Sequence, residues 1–340
     1  MGRIGIYSGS FDPPCRGHLE TANHAIEALG LEKLLLVPTE LAPHKTLPTP
    51  AQRQEMLHLM TQGEPKIEVS SSSDLCDVLA QLRLQYPQTE LVLLEEPYQL
   101  QSPVTEIDSA QLKRMLIFEC AEEFLPAGVG EYIRAHQLYG VGRDYRNLPE
   151  AELEQVVISL LKPNRVAHVL GCRDAAVVLA KHWGADPVAA ARAALLHDVT
   201  KALDGLLQLT LCHSYGMILD DFSKRYPKTL HALTGSLVAE RIFGESKEVV
   251  DAICSHTTGK ANMNVLEIIV YVADYMEPNR NFPGVDELRE LAMTDLNRAL
   301  RYGLNMTLEH LKSQNAEISP ASLQTLQWLD AKMNSIPERI

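Results

Sequence analysis

The sequence predicts two domains, an open parallel α/β sheet followed by an all-α helical bundle. Three observations point there. At 340 residues the chain exceeds the roughly 250–300 at which single hydrophobic cores stop growing. Up to about residue 94, short apolar runs alternate with helical periodicity, the pattern of parallel strands joined by crossover helices. From Glu152 onward the signals are helical only.

In chain order, Ile4–Tyr7 reads as a strand ending in Ser-Gly-Ser, and Leu19–Leu29 as a helix stopped at Gly30. Leu34–Val37 is a strand halted by Pro38 and Ala51–Met60 a helix. Ile67–Ser70 is a strand, Asp74–Leu84 a helix and Leu91–Leu94 a strand. One helix spans Gly128 to Leu138, after which Gly140, Gly142 and Pro149 punctuate a polar stretch. The boundary is expected near 140–150, with domains at 1–145 and 151–335. Asn164 is positioned to cap a helix running to Lys181. Asp186-Pro187, a cap followed by Pro at the first turn, opens a helix through Lys201. Thr229 starts a segment ended by Gly244, and Ser246 caps the next, up to Thr257. Val265–Met276 is apolar on nearly all sides and stops before Pro278. Pro283–Leu300 and Ser319–Met333 supply further helices.

Hydrophobic residues make up 46% and charged residues 22%, ordinary for a soluble globular protein. Disorder, collagen and coiled coil are excluded as whole-chain descriptions. The net charge of −13 excludes nucleic acid and anionic membrane as partners held by bulk electrostatics. A polyphosphate stays open if a metal or a local basic cluster reverses the sign. Residues 1–150 carry 12 basic and 21 acidic side chains, residues 151–340 carry 19 and 23, and seven of the 12 histidines lie in the second part. The six cysteines are widely spaced without a C-x-x-C pair, which reads as reduced thiols of a cytoplasmic protein. No signal peptide is visible in MGRIGIYSGSFD, and no apolar run approaches the ~20 residues of a membrane span.

The second part holds the chemistry. His197-Asp198 lies late in an Ala/Leu-rich helix, and alone it would be a solvated polar spot. His168 lies in an apolar stretch. His231 precedes Gly235 and Ala239, small residues on one helix face that let another helix approach. His256 ends a helix. Asp274 lies in a helix too apolar for the surface, where an unpaired carboxylate costs several kcal/mol. Four histidines and two aspartates in such settings are better explained as one metal cluster inside a bundle than as separate core residues.

The order His…His-Asp…His…His…Asp resembles the HD-domain metal-dependent phosphohydrolases. The flanking text is similar to the YqeK family of symmetrical diadenosine tetraphosphate hydrolases: Arg165-x-x-His168, Leu195-Leu196-His197-Asp198-x-x-Lys201, His231-x-x-x-Gly235, His256-Thr257-Thr258-Gly259 and Tyr271-Val272-Ala273-Asp274-x-x-Glu277-Pro278-x-Arg280. The likeness runs from about 155 to 310. It implies an HD-domain bundle with a binuclear centre, with iron as the family's metal. His168, His197, Asp198 and Asp274 would hold one ion, and His231 and His256 the other, with Asp198 bridging. Imidazole and carboxylate donors equally suit manganese or zinc. Two close metals would offset phosphate charge and lower the pKa of a water between them. The expected reaction is in-line attack beside the central phosphate bridge, giving two ADP. Asp198 and Lys201 are the catalytic candidates, with Lys201 stabilising the leaving oxygen. Arg165, Lys201, Thr257, Gly259 and Arg280 are the substrate contacts. Lys260 is as readily an ordinary surface charge. The partner would be a dinucleoside polyphosphate or another nucleotide, and a homodimer is compatible with this reading.

In the first part, Gly9-Ser10-Phe11-Asp12-Pro13-Pro14-Cys15-Arg16-Gly17-His18 follows a strand and opens a helix, a natural phosphate-binding corner. With Val37-Pro38-Thr39, Pro43-His44-Lys45, Arg53 and Leu125-Pro126-x-x-Val129-x-x-Tyr132-Ile133 it resembles the nicotinate mononucleotide adenylyltransferases, which implies a Rossmann-like nucleotidyltransferase fold. Ser10, Phe11, His18 and Lys45 are the nucleotide-binding candidates. That family's turn reads H-x-G-H. Here Cys15 replaces the first imidazole, and a thiol is a weak donor. The family's Gly-x-Asp, Trp and Ser-Ser-Thr motifs are missing between Leu94 and Pro126, so the domain reads as truncated and degenerate. Three readings follow: a phosphohydrolase; a bifunctional enzyme that also makes the dinucleotide precursor of NAD; and a non-catalytic nucleotide sensor. The complete ligand set favours the first.

Overall fold

The computed structural model describes residues 2–40, 48–95 and 107–334. Lys45 and the Pro43-His44-Lys45 motif lie outside the described residues. The chain divides into two units, Met1–Arg143 and Asp144–Ile340.

The first unit is a four-stranded parallel sheet. The strands are β1 (Arg3–Gly9), β2 (Lys33–Pro38), β3 (Ile67–Val69) and β4 (Glu90–Glu95), in the order β3-β2-β1-β4. Crossover helices α1 (Arg16–Leu29), α2 (Pro50–Met60) and α3 (Leu75–Gln85) join them. Gly30 ends α1 in the left-handed conformation (φ 60°), which a residue without Cβ adopts freely. Ile6, Val37, Val78 and Leu82 form a buried cluster between sheet and α3. β1 pairs with β2 from Ile4↔Lys33 to Gly9↔Pro38. The sheet therefore turns back on itself between β1 and β4, and the Ser10–His18 turn leaves the carboxyl end of β1, where such sheets bind ligands. Two further helices follow, α4 (Ser109–Ile117) and α5 (Val129–Ala135). α4 was not assigned from sequence, and α5 is shorter than the expected Gly128–Leu138.

The second unit is all-α: α6 (Glu150–Leu160), α7 (Pro163–Trp183), α8 (Pro187–Leu196), α9 (Gly205–Ser214), α10 (Asp221–Arg225), α11 (His231–Arg241), α12 (Lys247–Ser255), α13 (Val265–Met276), α14 (Val285–Thr294), α15 (Leu296–Ser313) and α16 (Pro320–Asn334). Asp186 caps α8 by accepting from the Val188 amide, and Ser246 caps α12 through Val249. Asn264 and Glu267 form a reciprocal capping box on α13. α13 is buried from Leu266 to Ala273 and packs on α7, α8, α12 and α15.

Several boundaries differ from expectation. α7 begins one residue before Asn164, on Pro163 after Lys162. α8 stops at Leu196, so His197 and Asp198 lie in a turn beyond it rather than inside a helix reaching Lys201. Thr229 falls within a 3-10 segment, Pro227–Leu230, that leads into α11. The expected Pro283–Leu300 helix is two, because Asp295 caps α15 through the amides of Asn297 and Arg298. No helix among the described residues is long and apolar enough to cross a membrane.

Candidate metal centre

Helix ends and one buried helix bring the six predicted donors to one point. α7 supplies His168, the turn after α8 supplies His197 and Asp198, α11 begins with His231, His256 ends α12, and Asp274 comes from α13. His168, His197, Asp198, His231 and His256 are each 8% exposed or less.

Asp198 stands in the middle. Its Oδ2 lies 3.8 Å from His168 Nε2 and 3.6 Å from His197 Nε2. Its Oδ1 lies 3.5 Å from His231 Nε2 and 3.8 Å from His256 Nε2. Asp274 Oδ1 joins the first side, 3.1 Å from His168 Nε2 and 4.0 Å from His197 Nε2. The carboxylate thus separates two groups of donors.

The hydrogen bonds on the far sides of the rings set which nitrogen faces inward. Nδ1 of His197 donates to the Ala194 carbonyl (2.6 Å), that of His231 to Lys228 (2.9 Å) and that of His256 to Ile253 (2.7 Å). A carbonyl only accepts, so each of these Nδ1 atoms carries the proton. Burial pushes His197 and His231 well below the ordinary histidine range, and His256 down to about 4. The three rings are therefore neutral, with Nε2 lone pairs aimed at the centre. His231 Nε2 and His256 Nε2 face each other at 3.2 Å, and buried His197 Nε2 has no hydrogen-bond partner. Imidazoles and carboxylates that converge around a buried His197 Nε2 with no partner fit a bound cation, and the residues present fit a metal.

Asp274 is held well below the usual carboxylate range. Burial alone would raise it, but the hydrogen bond with His168 and the charge of Arg280 outweigh burial. His168, Cys172, His197 and Asp274 form one potential metal-holding group, and His197, Asp198 and His256 another, with their ligand atoms all within 4.8 Å of one another.

The predicted substrate contacts divide. Arg165 lies against Asp198, and Arg280 Nη2 donates to Asp274 Oδ1 at 2.7 Å. Lys201 Nζ lies 2.8 Å from His231 Nε2 and 3.7 Å from Asp198 Oδ1. Burial around its amine pushes Lys201 down to about 8, which leaves it mostly charged at neutral pH. These three side chains are 28%, 34% and 39% exposed, a cationic rim on a buried centre. Thr257 Oγ1 is 3.2 Å from both His231 and His256. Gly259 follows α12 with φ +67°, and a Cβ there would meet Thr325 at 2.6 Å. The structure gives Gly259 a backbone role. Lys260 Nζ pairs with buried Glu267 at 2.5 Å.

Two neighbours were missed. Cys172, one turn after His168, has Sγ 3.6 Å from its Nε2. Burial and the negative Asp274 and Glu277 push this thiol well above its ordinary value. Glu277 is 1% exposed and lies 3.2 Å from His168 Nδ1. The i+4 spacing could have signalled Cys172; Glu277 was read only as part of a motif.

In the first unit, Phe11 and His18 of the predicted nucleotide-binding residues contact each other, and Ser10 and His18 are engaged by Arg53 and Cys15. His18 Nδ1 accepts from the Cys15 amide at 3.0 Å and contacts its Sγ at 3.1 Å. Burial raises the Cys15 thiol, but the hydrogen bond and charge of His18 bring it below its ordinary value. Phe11 is fully buried, edge-on to Tyr7 and His18. The Ser10 carbonyl accepts from Arg53, which also donates to Thr39 O. Asp12 is 2% exposed, in contact with Lys113 and accepting from Tyr139 Oη at 2.9 Å.

Comparison with known proteins agrees with this division. Residues 165–279 match the HD domain family and residues 6–121 the cytidylyltransferase-like family. The chain is 38% identical over 172 residues to the symmetrical bis(5'-nucleosyl)-tetraphosphatase of Bacillus subtilis (strain 168), a match covering 50% of this chain and 91% of that protein. It is 26% identical over 367 residues to a probable nicotinate-nucleotide adenylyltransferase/Ap4A hydrolase of Mycoplasma pneumoniae, covering 91% of this chain and 98% of that protein. Among solved structures, a predicted HD superfamily hydrolase involved in NAD metabolism, from Clostridium acetobutylicum, aligns with a TM-score of 0.53 at 34% identity, over 54% of this chain and 98% of that one.

Proposed function

The chain belongs to the family of symmetrical bis(5'-nucleosyl)-tetraphosphatases, and on that premise we propose that its HD domain hydrolyses diadenosine tetraphosphate to two ADP at the centre around Asp198. The observation that carries this reading is the convergence of four buried imidazoles on the two oxygens of one carboxylate.

In this reading His168, His197, Asp198 and Asp274 hold one metal ion, and His231, His256 and Asp198 a second. The mixed imidazole and carboxylate set suits iron, with manganese and zinc as the other candidates. Bound metal supplies charge neutralisation for the phosphates and hydroxide at neutral pH. The protein's own residues do the rest. Asp198 and the Nδ1-anchored rings fix the donor positions before substrate arrives. Arg165, Lys201 and Arg280 meet the anionic tetraphosphate at the rim. The Lys201 ammonium offsets charge on the departing phosphate oxygen. Water adds across the central anhydride, with its oxygen on one phosphorus and its proton on the departing ADP.

The first unit carries the secondary reading, adenylyl transfer to nicotinate mononucleotide, supported by the cytidylyltransferase-like match. Cys15 in place of an imidazole, and the bonds that tie His18 and Asp12 internally, weigh against it.

The test is metal analysis of the purified full chain, followed by separate incubations with diadenosine tetraphosphate and with nicotinate mononucleotide plus ATP. ADP as the only product of the first, and no dinucleotide from the second, is the expected result. Asp198→Ala should lower ADP release at least ~100-fold and strip most of the metal, since losing even a supporting group around such a centre costs 10–100-fold. Normal turnover by Asp198→Ala, or AMP plus ATP as products, would overturn the proposal.

A further inference from the structure

The four imidazoles of the centre are not oriented in the same way. His197, His231 and His256 sit at the ends of helical segments, where backbone carbonyls are not all taken by helical amides. Each turns its Nδ1 onto the carbonyl three residues earlier. Those rings are aimed by their own local backbone. His168 lies inside α7, where the carbonyls are used within the helix, and its Nδ1 meets the carboxylate of Glu277, 109 residues away, at 3.2 Å.

Glu277 is itself held. It follows the last residue of α13 and is 1% exposed. Its Oε2 accepts from the Asn279 amide at 2.7 Å and from Asn279 Nδ2 at 2.9 Å. Asn279 Nδ2 also donates to the Ala167 carbonyl at 3.0 Å, next to His168. Room for the carboxylate comes from Gly171, where a Cβ would fall 2.4 Å from Glu277 Oε2 and 3.0 Å from Asn279 Nδ2. The clamp therefore has three parts: an acceptor, a side chain that locks it, and a missing methyl that admits it.

We propose that Glu277, seated by Gly171 and locked by Asn279, is the positioning residue for His168 and so sets how tightly the Asp274 side of the centre holds its metal. The carboxylate fixes the ring so that Nε2 faces Asp198 and Asp274, and its negative charge makes that nitrogen a stronger donor than a carbonyl partner would. The three locally anchored rings have no such remote support. The two sides of the centre should then differ in their response to a change at Glu277. This inference rests on the metal reading above.

The test uses the full chain stripped of metal and titrated with Mn²⁺ by calorimetry, with bound metal counted by elemental analysis. Far-UV circular dichroism and the Tm of the stripped protein serve as the fold control. Glu277→Ala and Gly171→Ala should weaken one equivalent of metal by about 10–100-fold and leave the other near the wild-type value. Glu277→Gln, which can still orient the ring by accepting from Nδ1 but lacks the charge, should recover part of the loss. Wild-type affinity in Glu277→Ala would overturn the proposal. So would equal weakening in Ala and Gln variants that tracks a fall in the stripped protein's Tm, since that is a packing effect. A wild-type chain that binds no metal would instead bring down the metal reading, and this inference with it.

Discussion

In the first unit, the His18 imidazole accepts from the Cys15 amide, the Ser10 carbonyl accepts from Arg53, and Asp12 lies between Lys113 and Tyr139. In the second, His231 and His256 turn lone pairs toward each other at 3.2 Å, and His197 Nε2 is buried with no partner. Both places hold histidines and aspartates at helix ends, and both come from motifs that resemble nucleotide enzymes. The difference is in how the buried polar atoms are satisfied. In the first unit's corner most of these groups bond to one another and fewer are left to offer a phosphate, although Arg53 Nε is buried there without a partner. In the second unit's centre Lys201 already reaches His231 Nε2, while His197 Nε2 is left without a donor, a lone pair that a bound cation would meet. The balance of donors and acceptors, rather than residue type, is what differs between the two places.

Removing metal is the strongest way to test that contrast. A chelator should abolish ADP release and lower the unfolding transition of the second unit alone. A ligand present at ~100–1,000 times its Kd stabilises by about 3–4 kcal/mol, which is roughly 6–15 °C for a unit of this size. Scanning calorimetry with and without chelator reads both units at once. If the first unit's transition moves as well, or neither moves, the distinction between a matched corner and an incomplete centre fails.

The reverse cut is Asp12→Ala. Asp12 is buried and holds both Lys113 and Tyr139. Its loss should destabilise the first unit by about 2–3 kcal/mol while ADP release stays within about twofold of wild type. Urea unfolding followed by a product assay checks both. An unchanged first-unit midpoint would mean that the corner's internal bonds contribute little, which would reopen the ligand-binding reading.

The convergence of the six donors could be read from sequence because each breaks its local pattern. Singly an imidazole in an Ala/Leu helix is a polar spot or a hydrogen-bonded core residue; four such histidines together with two aspartates, one of them in the apolar run Leu266–Asp274, point to a shared ligand. The bounds of α13 were equally legible, since a capping box and Pro278 frame an apolar run. The end of α8 was not. Helical periodicity continues through Val199, and what stops the helix is tertiary: Thr200 Oγ1 donates to the His231 carbonyl at 3.1 Å, and Gln208 Nε2 to the Thr200 carbonyl at 2.7 Å. Asp295 was a legible cap that was read as helix interior. Glu277 and Cys172 were obscured for another reason. A glutamate after a helix and a cysteine within one have ordinary local explanations; the i+4 spacing hints at Cys172 beside His168, but only the packing of α7 against α13 brings Glu277 to that ring.

The smallest effect expected is at Gly235, where the second unit's centre depends on backbone rather than side chains. A Cβ there would sit 3.3 Å from the His197 carbonyl oxygen, 3.7 Å from that of Leu196 and 3.5 Å from Ile253 Cγ2. Gly→Ala inside a helix ordinarily gains up to about 1 kcal/mol. Here the neighbour is the main chain of the turn that carries His197 and Asp198, pinned by Thr200, and it has little freedom to give way. The two terms should nearly cancel in stability, leaving Gly235→Ala within about 1 kcal/mol of wild type. The displaced carbonyl belongs to a ligand residue, so metal affinity should still fall a few-fold. Calorimetric titration beside a urea melt separates the two quantities. Unchanged affinity would show that the turn tolerates the methyl, and that donor positions in the second unit are less tightly set by backbone packing than its hydrogen bonds imply.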